Sequence, residues 1–260
     1  ISWIGTNLAG WYLSMGNINK AIPLAEESVT LDRKAGNVTH LSISLDILGF
    51  IYQTLGEWDK SEQYYREALN NSQRLKDRQS IATSHAYLGW LYYDKGEYAK
   101  AREFFEKWYD VVGKAGAKFG QMWSSVFVVF AYAELGEIEK AKNLVDNLRK
   151  FAFEVEDNWL IACADNAGAM VFRAQKKWKE SIELFEKALQ EYEALNTRRW
   201  DIYVFARFLC DYAQAYLGRN EEGDREKAFN LLNQALELFQ KLDAKKEIER
   251  IIAKKKLLTA

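Results

Sequence analysis

The sequence predicts an all-α solenoid: six antiparallel helix pairs, stacked in chain order and closed by a capping helix. Three observations predict it. A small residue preceded by Lys or Glu recurs every 40 residues, at Lys20-Ala21, Lys60-Ser61, Lys100-Ala101, Lys140-Ala141 and Glu180-Ser181. Self-similarity at a fixed period is the mark of a stacked array. Within each copy the apolar positions follow a helical period, and no segment alternates with period two; with Pro23 the lone proline, a β-architecture is excluded.

The elements follow in order from that register. The first pair, about residues 1–35, places Tyr12 and Gly16 nine and five residues before Ala21. Its first helix is about a turn shorter than its equivalents and carries Ile1, Trp3 and Ile4. The second pair, 37–75, is the clearest: Leu45, Leu48, Gly49 and Tyr52 fall at i, i+3, i+4 and i+7 and make one amphipathic helix, ended at Gly56. Trp58, Ser61, Tyr65, Ala68, Leu69, Ser72 and Leu75 then form one face of the next helix. The small residue at Gly49, and at Gly89 in the third pair (78–115), lets two helices approach closely, while Tyr52 or Tyr92 fills the space beside them. The fourth pair (118–155) keeps Tyr132 and Gly136, and the fifth (157–195) keeps Phe172 but has Lys176 in place of the turn glycine. In the sixth (197–241) the interval grows to 47, from Ser181 to Ala228. We expect about four extra residues to lengthen the preceding helix by a turn, and three to enter the loop "LGRNEEGDREKA" after Tyr216. A cap over 244–258, "AKKEIERIIAKKKLL", spaces Ile248, Ile251 and Ile252 to cover the last pair while lysines face water. All of this is expected to form a single domain over 1–260.

Residues Leu48, Gly49, Tyr52, Gly56, Trp58, Ser61, Tyr65, Ala68 and Leu69 resemble the unit of the tetratricopeptide repeat (TPR) family: Leu-Gly, Tyr, Gly-x-aromatic, Ala, aromatic, Ala-Leu. The match extends over nearly the full chain and is most specific in copies two and three; Ala9, Val129 and Ala169 replace the first Gly in copies one, four and five. The period departs from the family's usual 34 residues, being 40 with no proline closing the second helix. It is similar to the long-helix variety found in spindle-orientation adaptors, Rap-type regulators, and sensor arms of signal-transducing ATPases and maltose-activator-like regulators. The resemblance implies a right-handed TPR-like solenoid whose first helices line a concave inner wall.

Composition narrows the chemistry. The chain has 260 residues, 48% apolar and 28% charged, with 36 Lys and Arg against 37 Asp and Glu. A net charge of −1 supplies no field for nucleic acid or an anionic membrane, and no apolar run approaches the ~20 residues of a bilayer span. The basic clusters Arg198-Arg199 and Lys254-Lys255-Lys256 read as solvated. Two cysteines, Cys163 and Cys210, make no disulfide framework and fit a reducing cytoplasmic setting as small buried thiols. The opening "ISWIGTNLAGWY" has neither an initiator Met nor the basic flank of a signal peptide, so a fragment of a longer protein is expected. His40 and His85 stand in no triad or metal-ligand spacing, and no phosphate-cradling glycine motif is present. We therefore expect no catalytic residue, metal or cofactor, and read His85 as a packing residue.

What remains is a surface. One column of the first helices reads Gly10, Phe50, Trp90, Phe130, Met170 and Gln214; another, three residues earlier, reads Asn7, Ile47, Tyr87, Phe127, Ala167 and Asp211. Copies of one position stack along an array, so these columns describe an apolar strip rimmed by Asp46, Asp94, Glu134, Asn166, Arg173 and Arg207. Helix packing is already served by Leu48, Tyr52, Leu88, Tyr92, Val128 and Tyr132 on another face. Exposed apolar strips and aromatic side chains mark binding surfaces. The expected ligand site is Asp46, Ile47, Phe50, Tyr87, Trp90, Trp123, Phe127, Phe130, Asn166, Met170, Arg173 and Arg207. The resemblance implies a non-enzymatic module that takes an apolar or amphipathic protein segment in this groove. The Lys, Asn and Arg clamp with which chaperone-binding members hold a carboxylate terminus has no counterpart, since Thr6, Gly10, Asp46, Trp90 and Asp94 occupy its positions. The alternative is a regulatory sensor that binds a small apolar ligand or signalling peptide and controls an attached ATPase, cyclase or DNA-binding domain. Partners are then protein or peptide, not nucleic acid or membrane, with self-association through the N-terminal edge.

Overall fold

In the computed structural model, which describes residues 2–195 and 202–259, thirteen helices follow one another and no strand occurs among the described residues. The first helices of the six pairs are α1 (Ser2–Ser14), α3 (Val38–Thr54), α5 (Arg78–Lys95), α7 (Lys118–Glu134), α9 (Asn158–Ala174) and α11 (Ile202–Arg219). Their second helices are α2 (Ile18–Ala35), α4 (Trp58–Leu75), α6 (Tyr98–Lys114), α8 (Ile138–Glu154), α10 (Trp178–Ala194) and α12 (Asp224–Lys241), and α13 (Lys245–Thr259) follows. This is the all-α repeat architecture that the period predicts. The helices fall into two compact units, Ile1–Lys118 with Lys241–Lys246, and Phe119–Gln240 with Glu247–Ala260.

The turn inside each pair is set by a left-handed residue. Gly16, Gly56, Gly96 and Gly136 have φ between 72° and 81°, and Lys176, where the glycine is missing, adopts the same region at 58°. Lysine there costs about 1 kcal/mol or more of backbone strain relative to glycine. Three of the first helices, α3, α5 and α9, begin on polar caps: the side chain of Asn37 accepts from the His40 amide, Asp77 from Gln79 and Ser80, and Asp157 from Leu160.

Close approach explains the glycines inside helices. A Cβ at Gly49 would lie 2.6 Å from Cε1 of Tyr65, and one at Gly89 2.4 Å from Cδ1 of Phe105, so α4 and α6 press their rings onto bare backbone. Both rings are buried. Between neighbouring pairs of the first unit the ties are polar. Thr6 and Ser44 share a hydrogen bond at 2.7 Å, Ser44 donates to Asp32 at 2.8 Å, and Gln53 donates to Asp94 at 2.6 Å while accepting from Tyr65 at 2.8 Å.

The sixth copy departs from expectation. α10 ends at Ala194 with 17 residues, the length of α8, so the four extra residues do not lengthen it; they fall beyond it, in 195–201, where 196–201 lie outside the described residues. The three later additions are spread singly: α11 runs one residue further past its aromatic, the Asn220–Gly223 link is one longer, and α12 starts one residue earlier. Spreading an insertion over helix ends keeps the packing register of both helices. Ile1, Arg198 and Arg199 also lie outside the described residues.

Candidate functional site

In the first unit α1, α3 and α5 present three positions at i, i+4 and i+7: Trp3, Asn7 and Gly10; Ile43, Ile47 and Phe50; Thr83, Tyr87 and Trp90. That spacing puts each trio on one stripe of its helix. Trp3 and Ile43 are exposed, while Ile47, Phe50, Tyr87 and Trp90 are half-buried. The aromatics are held from beneath. Tyr87 stacks on the buried Tyr65 at 5.3 Å and 9°, Phe50 meets Tyr87 at 5.7 Å, and Trp90 sets its edge against Phe105 at 6.1 Å and 88°. Aromatic pairs at these distances contribute about 0.5–1.5 kcal/mol beyond area burial. Ile43 was missed by the two columns read from sequence; it lies one turn before Ile47, and the i, i+4, i+7 spacing of the stripe is the signal that finds it.

The charges of these helices are withdrawn from the stripe. Asp46 is 2% exposed and accepts from Ser84 at 3.0 and 3.2 Å. Burial pushes its pKa well above the usual carboxylate range, with the Ser84 hydrogen bond pulling weakly the other way. Asp94 is buried against Gln53, and Lys95 turns to Glu62 at 2.9 Å. Burial opposes the ionisation of Glu62, but hydrogen bonds from Tyr92, Lys95 and Arg66 outweigh it and hold its pKa at about 2. Asp46 is therefore part of the floor between α3 and α5 and not a rim group.

The second unit treats its share of the expected site differently. Trp123 is 37% exposed and joins Phe119, itself 46% exposed, and Trp159, with ring centroids 5.8 Å apart for the two tryptophans and 6.4 Å for Phe119 and Trp159. Phe119 and Trp159 were not foreseen. Phe127, Phe130 and Met170 were expected to keep accessible surface, and the structure corrects this: they are 5%, 7% and 0% exposed. The reason lies in α7, whose residues Ser124–Ala131 are all buried, so its middle has no solvent face at all. Asn166 is buried too. Arg173 of α9 spans three first helices, with Glu134 of α7 on one side and Asp211 (3.3 Å) and Gln214 (2.7 Å) of α11 on the other. Arg207 reaches Glu247 at 3.5 Å, and Glu247 also binds Arg250. These two guanidiniums are internal struts.

Reactive chemistry is muted. His85 is 7% exposed, packs on Phe104 at 5.8 Å, and burial, helped by the charge of Lys107, lowers its pKa to about 4. Burial raises both Cys163 and Cys210 to about 12, and Cys163 accepts a long hydrogen bond from Tyr192 at 3.7 Å. Thiols so protonated are poor nucleophiles. Among the described residues no group of three or more His, Cys, Asp or Glu side chains is placed to hold a metal ion, and no helix is long and apolar enough to cross a membrane.

Profiles of the tetratricopeptide repeat match residues 40–112 and 160–196. Among curated proteins none matches the sequence. Solved structures that resemble it include BtubC (BKLC) from P. vanneervenii, at TM-score 0.60 and 20% identity over 85% of this chain and 90% of that one. A Signal Transduction ATPase with Numerous Domains (STAND) protein with a tetratricopeptide repeat sensor, from Pyrococcus horikoshii, matches at 0.66 and 17% over 98% of this chain but only 41% of its own. Rap protein complexed with Competence and Sporulation Factor matches at 0.55 and 13% over 99% of this chain and 98% of that one. At such identities the likeness shows the fold.

Proposed function

Since this chain is a tetratricopeptide-repeat protein, we propose that it works as a protein-interaction module, receiving an apolar or amphipathic segment of a partner on the stripe of α1, α3 and α5, without chemistry of its own. The observation that carries the reading is an aromatic surface from which charge has been removed. α1 has no charged residue, and the carboxylates of α3 and α5 are buried behind the stripe on Ser84 and Gln53. None of the nine residues of the stripe is a cation that would hold a carboxylate terminus or a phosphate, whereas Ile47, Phe50, Tyr87 and Trp90 offer the aromatic and aliphatic contacts that dominate binding energetics.

A second reading, a regulatory sensor domain, is favoured by two of the similar structures: a repeat sensor of a STAND protein, and Rap in complex with Competence and Sporulation Factor. Both readings use the same stripe and differ in what occupies it and in what is attached. The test is a Phe50→Ala, Trp90→Ala double variant. Partners are cross-linked to the purified chain and identified by mass spectrometry, and the recovered segment is titrated against both forms. Because both side chains are half-buried, the variant should stay folded and lose binding by about 30-fold or more, two truncations at 1 kcal/mol or more each. Unchanged affinity in a folded variant refutes the stripe. A small apolar molecule displacing the segment favours the sensor.

A further inference from the structure

In every copy of the repeat a lysine lies over the aromatic that ends the first helix, from Lys60 over Tyr52 at 4.0 Å to Lys177 over Phe172 at 5.9 Å. The chain thus caps its recurring ring faces with cations. Phe119 and Trp159 are treated otherwise. Lys118 precedes Phe119 in sequence, but no Lys or Arg among the described residues lies over either ring.

These two rings answer no need of the fold. They are the second residues of α7 and α9, and the second residues of α3 and α5 are Thr39 and Gln79, polar and exposed. At the same position the second unit keeps Phe119 exposed and Trp159 half-buried, with their planes only 13° apart. Trp123 meets Trp159 at 49° and is fixed by the buried Phe127, edge on at 5.7 Å and 80°. The result is a preformed corner of two near-parallel rings with a third inclined to them. Its surroundings on the α8–α9 side are acidic: between Lys150 and Arg173 the chain has no Lys or Arg, but has Glu154, Glu156, Asp157 and Asp165. Asp165 is taken by Arg149 at 2.7 Å, Asp157 by the Leu160 amide at 2.7 Å, and Glu154 only loosely by Lys150 at 3.9 Å, while Glu156 is exposed. Ring faces carry the negative end of the aromatic quadrupole, so rings and carboxylates call for the same ligand, a cation.

We propose that Phe119, Trp123 and Trp159 hold the guanidinium of an arginine presented by a partner protein, a second anchor made of residues other than those of the stripe. Arginine fits better than lysine because its planar head stacks on flat rings, is more weakly hydrated than an ammonium, and keeps its N–H edge free for water or a carboxylate while stacked. A purely apolar ligand would use the rings but draw nothing from the acidic run.

The probe is acetyl-arginine methylamide, titrated into the whole nitrogen-15-labelled chain and followed at the tryptophan indole N–H signals, with those of Trp123 and Trp159 assigned by Trp→Phe substitution. We expect these two signals to shift together and saturate with a Kd of about 1 mM, the range for a ligand of this size. The citrulline analogue, which keeps the shape without the charge, and the lysine analogue should each bind about threefold more weakly or worse. Phe119→Gln and Trp159→Gln, which install the residue that α5 has there, should each weaken binding about three- to fivefold. Phe119→Gln alters an exposed position and should leave the circular-dichroism melt unchanged, so its effect reads the site even if Trp159→Gln disturbs folding. No saturation up to about 30 mM, binding that ignores Phe119→Gln, or citrulline or lysine analogues binding as tightly as arginine overturns the proposal. So does saturation that appears only after Arg198→Ser, Arg199→Ser, since the chain's own arginines are then the occupant.

Discussion

Adding one methyl group at Gly49 and one at Gly10 should move stability in opposite directions. Both residues lie inside helices, where Ala is favoured over Gly by about 1 kcal/mol. At Gly10 the new Cβ would meet only Cδ1 of Ile47 at 3.6 Å, an ordinary contact, so Gly10→Ala should stabilise by up to about 1 kcal/mol. At Gly49 it would lie 2.6 and 2.7 Å from two ring carbons of Tyr65, roughly 1 Å inside the usual carbon separation. That ring cannot yield cheaply: it is 0% exposed, stacked on Tyr87, and hydrogen-bonded to Gln53. A clash this deep against a fixed ring falls in the upper part of the overpacking range, about 2–3 kcal/mol, and subtracting the helix preference of about 1 leaves Gly49→Ala destabilising by about 1–2 kcal/mol. Urea unfolding followed by circular dichroism measures both, and melting temperature should fall by about 2–8 °C. The double variant Gly49→Ala, Tyr65→Leu should recover part of the methyl's cost measured against Tyr65→Leu alone. If Gly49→Ala proves as stabilising as Gly10→Ala, close approach is not the reason for this glycine, and the same argument fails at Gly89.

The remaining expectations concern protons. His85 has a folded pKa of about 4 against about 6.5 in the unfolded chain, so the unfolded state binds more protons between those values. Stability is therefore whole above pH 6.5 and is lost as pH falls towards 4, by about 3 kcal/mol; His85→Gln should flatten that slope in urea melts, and an unchanged slope would sink the assignment. Asp46 has the opposite sign: its raised folded pKa means the native state binds the extra proton, so its contribution declines as pH rises from about 3.8 through the raised value. Asp46→Asn, which can still accept from Ser84, should raise the melting temperature at pH 7; a lower one would mean that the charged carboxylate is needed.

The repeat register was legible because it rests on sterics that each copy must satisfy separately. Gly49 and Gly89 announce a ring pressed on backbone, and Gly56 and Gly96 announce a left-handed turn. Lys176 shows how far this reading reaches: it breaks the residue pattern, yet its backbone adopts the same φ, since the geometry of the turn is imposed by the helices on either side. Burial within the strip was less legible. Phe50 and Phe130 occupy one column, but Phe50 is half-buried and Phe130 is 7% exposed, because column membership fixes direction from the helix axis and not what lies in that direction. The rim failed for a related reason. Asp46 and Arg173 were assigned to solvent by charge, and each has a partner about forty residues away, in Ser84 and in Glu134 and Gln214, that no periodicity within one helix reveals.

Those partners bear on how the chain reaches its fold. Thr6 to Ser44, Asp46 to Ser84, Gln53 to Asp94 and Arg173 to Gln214 span 38 to 41 residues. Each such bond closes a loop of about one repeat, so its entropic cost is that of a local contact however far along the chain it falls. Folding rates rise as contacts become local, and in arrays of this kind order can begin at any unit and spread to its neighbours. During synthesis, a newly completed copy would find the partner for its serine, aspartate or glutamine already in place on the copy before it, and the chain would set its polar bonds one after another without waiting for its far end.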